Sequence, residues 1–148
     1  MRGNTNLGDM NQVSGSLMGV SVVLPILNEE RDLRESVSAI LAQNYSGAFE
    51  VILALGPSSD RTNEIAKEIA AADSRVVLVD NPTGRTANGL NAAIAKSKFP
   101  IVSRIDGHAE ISPTYLTDAT ALLNKTGAVN VGGIMAAVGK TKLEKAVA

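Results

Sequence analysis

Asp106 and His108 stand two residues apart across Gly107, and His108 is the single histidine of the chain. A carboxylate beside an imidazole can hold a divalent cation and leave coordination positions open. Mg2+ usually keeps few protein ligands and completes its shell with phosphate and water. An imidazole ligand shifts the preference toward Mn2+ or another transition ion. A cation held this way would neutralise a diphosphate leaving group as charge builds on it. Gly107 lets the chain turn tightly and lets a bulky ligand approach the backbone. The same residues also suit a surface histidine and a turn-capping aspartate, and two ligands at this spacing do not by themselves specify a metal.

Other polar residues cluster in comparable segments. Arg85 follows Gly84 and could fork onto phosphate oxygens, or stand solvated near a helix start. Arg104 lies two residues before Asp106 and could form an ion pair with it or with another acid. Asn28 and Glu29 could hydrogen-bond a base or ribose, or cap a helix, and the two roles can coexist. Backbone amides around Ser58, Ser59 and Asp60 could meet a ligand at a helix start, or these residues could form an N-cap box.

Several chemistries are excluded. The chain has neither a Gly-x-x-x-x-Gly-Lys-Ser/Thr loop nor a Gly-x-Gly-x-x-Gly loop. It has no Gly-x-Ser-x-Gly elbow. With one His and no Cys, a histidine-activated nucleophile has a single candidate base.

These residues need elements to position them. Val20–Ile26 reads as a first strand, and Leu33, Val37, Ile40 and Leu41 follow as one helical stripe. Asn28 is a candidate N-cap for that helix, with Glu29 and Glu30 in its first turn. Phe49–Leu55 reads as a second strand, followed by a Gly56-Pro57 turn. Asp60 can cap a second helix carrying Ile65, Ala66 and Ile69 inward. Residues 75–80 form a third strand, and Ala87, Leu90, Ala93 and Ile94 mark a third helix. Residues 101–106 form a fourth strand. Ser112-Pro113 starts a helix carrying Tyr115, Leu116, Ala119, Leu122 and Leu123. Residues 128–133 suggest a fifth strand, and 140–148 the start of another helix.

Alternation at this spacing predicts right-handed crossovers and an α/β fold: a mostly parallel open sheet with helices on both faces. Loops 25–29, 55–60, 81–85 and 106–110 then gather at one edge, where ligands bind in open α/β sheets. The polar residues described above lie in those loops.

Composition agrees. The chain has 148 residues, 45% hydrophobic and 3% aromatic, so its core is built from Val, Ile, Leu and Ala, as in parallel sheets covered on both faces. The length suits one domain. A formal net charge of −1 provides no basic field for nucleic acid. The lack of cysteine fits a reducing compartment, so a cytoplasmic location is expected, at the cytoplasmic face of a membrane if a longer chain carries an anchor. Residues 1–19 read as a flexible leader without a secretory signal, and residues 20–148 as the α/β domain.

In order and spacing, Val-Ser-Val-Val-Leu-Pro-Ile-Leu-Asn-Glu-Glu (20–30), Phe-Glu-Val-Ile-Leu-Ala-Leu-Gly-Pro-Ser-Ser-Asp-Arg-Thr (49–62), Asn-Pro-Thr-Gly-Arg-Thr-Ala-Asn-Gly-Leu (81–90) and Ile-Val-Ser-Arg-Ile-Asp-Gly-His-Ala (101–109) resemble family 2 glycosyltransferases. The resemblance is to the nucleotide-sugar-binding, Rossmann-like half of the GT-A fold. Asp106-Gly107-His108 lies where that family carries Asp-x-Asp, and the Asp-x-His variant resembles the succinoglycan-synthesis ExoA-type subgroup. The resemblance implies a nucleoside-diphosphate sugar as donor, a glycan or lipid-linked acceptor, inverting transfer in polysaccharide synthesis, and Mn2+ or Mg2+ as cofactor. It implies that Asp106 faces the donor, that His108 is the main metal ligand, that Pro25, Asn28 and Glu29 border the nucleotide, and that Arg85 approaches the base or diphosphate.

Two departures stand out. Gly56 replaces the acid that contacts the base in the family, so backbone groups would have to serve there. No residue after Gly133 matches the family's catalytic aspartate, and Glu144 lies in a helix-like tail. This leads to the expectation of a donor-binding part that ends before the acceptor region and self-associates through exposed apolar surface. The alternative is a non-catalytic nucleotide-binding module or an inactive fragment. A nucleotidyltransferase with a similar sheet would carry a Gly- and Arg-rich loop after the first strand, and none occurs.

Overall fold

The computed structural model describes residues 17–133. Its elements are β1 (Val20–Ile26), α1 (Leu33–Leu41), β2 (Phe49–Leu55), α2 (Thr62–Ala72), β3 (Val76–Asp80), α3 (Thr86–Lys96), β4 (Ile101–Arg104) and α4 (Tyr115–Thr126). The four strands form one sheet in the order β3-β2-β1-β4, and every pairing is parallel.

Strand alternation divides the core into two layers. Val20, Val22, Leu24 and Ile26 of β1 and Val51 and Leu53 of β2 face Leu33, Val37 and Ile40 of α1 and Ile65 and Ala66 of α2. The opposite residues, Val23, Ile52 and Ala54, pack on Ala93 and Leu90 of α3. β1 and β2 are covered on both faces, so their apolar runs are nearly continuous. Helices therefore flank both faces of a parallel sheet, as the sequence predicts.

Polar contacts close the sheet at the amino ends of the strands. Ser21 and Glu50 are cross-strand partners, and the buried Ser21 hydroxyl donates to Glu50 Oε1 at 2.8 Å. The same oxygen accepts the Lys98 N–H at 2.7 Å. Arg75 donates to Asp73 through Nη2 at 2.7 Å and to the Leu41 carbonyl at 3.2 Å. Its guanidinium also covers the Phe49 ring, 4.9 Å from the centroid.

The described residues fall into two compact units that divide after Thr117. The first carries the sheet and α1–α3, and α4 begins in it: Gln43 accepts the Leu116 N–H at 3.0 Å. In the second, α4 ends at Thr126, and Gly127 follows at φ 64°, the left-handed position that stops helices.

Several expectations are corrected. α1 begins four residues after the expected first turn: its N-cap is Asp32, not Asn28. α4 begins at Tyr115 instead of at Pro113. Residues 128–133 form no strand. Val129 is fully exposed and glycines follow at 132 and 133, so this stretch has neither a pairing neighbour nor an apolar face to bury. Residues 1–16, the expected helix over 140–148, and Glu144 lie outside the described residues.

Candidate functional site

Parallel pairing carries the carboxyl ends of all four strands to one edge. β1 extends beyond β4 there: their pairing ends at Val23↔Arg104, and the Ile105 N–H makes a last bond to the Val23 carbonyl at 3.2 Å. Pro25 follows this point, so its missing N–H falls where the ladder with β4 has stopped.

The loops after β1 and β2 clasp each other through reciprocal bonds. Asn28 adopts the left-handed region at φ 57°, which asparagine tolerates better than most residues. Its N–H donates to Ser58 Oγ at 3.1 Å, and its side-chain oxygen accepts the Ser59 N–H at 2.8 Å. The Glu29 N–H donates to Thr62 Oγ1 at 2.7 Å. Glu30 accepts the Arg61 N–H at 2.9 Å, and Asp60 accepts the Glu30 N–H at 3.3 Å. Asp60 also accepts the N–H and hydroxyl of Thr62. The Thr62 hydroxyl holds the Asp60 carboxyl below the ordinary aspartate range.

The clasp changes what these residues offer. The Asn28 amide oxygen and the amides of residues 59 and 61 are committed to each other's loops, and the Ser58 N–H is bonded to the Gly56 carbonyl at 2.9 Å. The start of α2 is therefore not the open set of donors considered from the sequence. Gly56 donates its N–H to the Ile26 carbonyl at 2.9 Å and accepts from Asn63 Nδ2 at 3.0 Å, so both its backbone groups have protein partners. Its lack of a side chain makes room for Leu27: a Cβ at 56 would lie 2.9 Å from Leu27 Cδ1.

The third loop is anchored by Asn81, which is buried. Its N–H reaches the Leu55 carbonyl at 2.8 Å, and its side-chain amide donates to the Arg85 carbonyl at 3.2 Å. Gly89 lets α3 come close, since a Cβ there would lie 2.8 Å from Asn81 Nδ2 and 3.1 Å from Pro25 Cβ. Arg85 is exposed at the N-cap of α3.

The fourth loop meets the first. His108 Nδ1 lies 3.1 Å from Glu29 Oε1. Arg104 pairs with Asp106, Nε to Oδ1 at 3.0 Å, one of the partnerships weighed from the sequence. Both side chains are about half exposed, at 54% and 46%. An exposed pair of this kind contributes about 0–1 kcal/mol, so an incoming ligand can displace it cheaply. Among the described residues no cluster of three or more His, Asp or Glu could hold a metal. The donor chemistry available is the carboxylate of Asp106 and the outward nitrogen of His108, which suits an ion that takes most of its ligands from phosphate and water.

The glycosyl transferase family 2 model matches residues 21–147. This chain belongs to glycosyl transferase family 2. It is 30% identical over 129 residues to the succinoglycan biosynthesis protein ExoA of Rhizobium meliloti, covering 86% of this chain and 39% of that one. It is 27% identical over 123 residues to the glycosyltransferase AglE of Haloferax volcanii, covering 82% of this chain and 40% of that one. The fold is similar to that of S. aureus TarS 1–349 in complex with UDP, with a TM-score of 0.67 at 22% identity over 84% of this chain and 40% of that one. A complex of the same protein with UDP-GlcNAc superposes with a TM-score of 0.65. The family 2 chain thus spans about two fifths of the length of these relatives.

Sequence reasoning missed two anchors of this family 2 site. Thr62, with no role legible in its residue type, is fully buried and ties Glu29 to α2. Asn81 stands in the 81–85 loop with no role assigned to it from the sequence, yet it is buried and holds that loop to β2. A single buried polar residue at an element end leaves no periodic signature, because its hydrogen-bond partners do not recur along the sequence.

Proposed function

We propose that this chain is the donor-binding part of an inverting glycosyltransferase in polysaccharide synthesis. Its donor is a nucleoside-diphosphate sugar, and its acceptor a glycan or lipid-linked glycan. One observation carries the reading: the 3.1 Å contact between Glu29 and His108 joins the loops after β1 and β4 on the rim where an open α/β sheet binds ligands. Family membership and the UDP and UDP-GlcNAc complexes of the similar TarS fold support the choice of donor. The ExoA relationship supports polysaccharide synthesis.

In this reading Pro25 and Leu27 border the nucleotide, with Gly56 buried behind Leu27, and Arg85 reaches phosphate oxygens with its exposed guanidinium. Asp106 exchanges Arg104 for the donor. His108 Nε2 and Asp106 would hold Mn2+ or Mg2+, which when bound stabilises charge on the departing diphosphate. Calorimetry with UDP, with and without Mn2+, tests the proposal. Saturable binding strengthened by Mn2+ and weakened by Asp106→Ala, His108→Ala and Arg85→Ala is expected. Absence of binding for both UDP and GDP would overturn it.

A further inference from the structure

We infer that Glu29 is the positioning residue for His108: it holds the ring by Nδ1 and so presents Nε2 to the ligand edge. This rests on the donor-site reading above only for what Nε2 then binds. A carboxylate offers acceptors alone, so the 3.1 Å contact requires the proton on Nδ1. In the neutral ring the lone pair then lies on Nε2. A partner that fixes the ring orientation and tautomer of a ligating histidine is a recurring requirement of metal sites.

Glu29 is built for this task and poorly placed for contacting a nucleotide. Its N–H is held by the buried Thr62 hydroxyl at 2.7 Å, and its carbonyl accepts the Leu33 N–H at 2.9 Å. Its side chain is only 20% exposed, against 65% for His108. The carbon stem runs beneath the fourth loop, where a Cβ at Gly107 would lie 3.2 Å from Glu29 Cγ. Gly107 thus makes room for the carboxylate to reach the ring. Gly107 has no left-handed φ, so its role here is space and not backbone freedom.

The single histidine makes the test direct. Nitrogen-15 NMR of the histidine-labelled chain, at a pH where the ring is neutral, reports which nitrogen carries the proton. Mn2+ affinity is measured by calorimetry in the presence of UDP. In the unmodified chain the Nδ1–H form should predominate. Glu29→Ala should mix the tautomers and weaken Mn2+ binding about 10-fold or more. Glu29→Gln, whose amide oxygen can still accept, should retain much of the native tautomer. Gly107→Ala keeps the carboxylate but displaces it, and should shift the tautomer as Glu29→Ala does. A predominant Nε2–H form in the unmodified chain overturns the inference, whatever the variants do. So does an unchanged tautomer in Glu29→Ala. If Mn2+ fails to bind the unmodified chain while the Nδ1–H form depends on Glu29, the positioning role stands and the metal reading fails.

Discussion

Asn28 and Ser59 are joined across two loops: the Asn28 side-chain oxygen accepts the Ser59 N–H at 2.8 Å, with Asn28 itself at φ 57°. The bond and the backbone conformation can be separated by substitution. Asn28→Gly loses the bond and keeps the conformation, costing about 0.5–1.5 kcal/mol. Asn28→Ala also loses the bond but keeps a Cβ in the left-handed region, which glycine lacks, so it should lie roughly 1–2 kcal/mol below the glycine variant. Urea denaturation should rank wild type above Gly and Gly above Ala. An alanine variant as stable as the glycine variant would show that the left-handed conformation carries no cost.

The elements themselves were largely legible, for a physical reason. β1 and β2 are covered on both faces, so their apolar runs stand out, and α1 and α2 carry one buried stripe each. What failed were helix starts and one whole expected strand. Asn28 has the residue type of an N-cap, but its side chain bonds to the loop after β2 instead of to its own helix. Residues 128–133 carry apolar residues, but a strand exists only where another strand pairs with it. At the candidate site, Asp106 and His108 are drawn from the sequence by the family resemblance of their motif, their spacing alone being a weak signal. The sequence could not supply Glu29 as a partner of His108, because that contact joins residues 79 apart and depends on β1 lying beside β4.

Glu50 anchors the edge of the sheet opposite the candidate site. Its Oε1 accepts from the Ser21 hydroxyl and the Lys98 N–H, and the Lys98 ammonium lies 3.5 Å from Oε2. Glu50→Ala would leave two donors without their acceptor, one of them on the fully buried Ser21. The expected loss is about 2–4 kcal/mol, read from the urea midpoint. UDP affinity, measured where the variant remains folded, should be unchanged. A matching loss of affinity would contradict the separation of the two edges.

Asp73 gives the fold an acid-sensitive contact. The Arg75 guanidinium hydrogen-bonded to it holds its carboxyl below the ordinary value of 3.8. A folded-state value below the unfolded one stabilises the native chain above the unfolded value. That contribution is lost as pH falls from about 3.8 through the lower folded value. The pair is partly exposed, at 40% and 27%, so the contribution should be no more than about 1 kcal/mol. Asp73→Asn should be less stable than wild type at pH 7 by that amount, and the gap should narrow in strong acid. Urea midpoints compared across pH measure it, and a gap that widens in acid would reverse the assigned sign.

Gly89 sits inside α3, where alanine would ordinarily be favoured by about 1 kcal/mol. Here the added Cβ would lie 2.8 Å from Asn81 Nδ2 and 3.1 Å from Pro25 Cβ. Asn81 has little freedom to retreat, because that nitrogen donates to the Arg85 carbonyl and its N–H is bonded to Leu55. Overpacking of this kind costs roughly 1–3 kcal/mol, which exceeds the helical gain over most of its range. Gly89→Ala should therefore lower the melting temperature. Moving Asn81 or α3 also moves Arg85, so UDP should bind more weakly even at temperatures where the variant is fully folded. A melting temperature above that of the wild type would show that α3 shifts without cost, and that Gly89 does not set its approach to the strand ends.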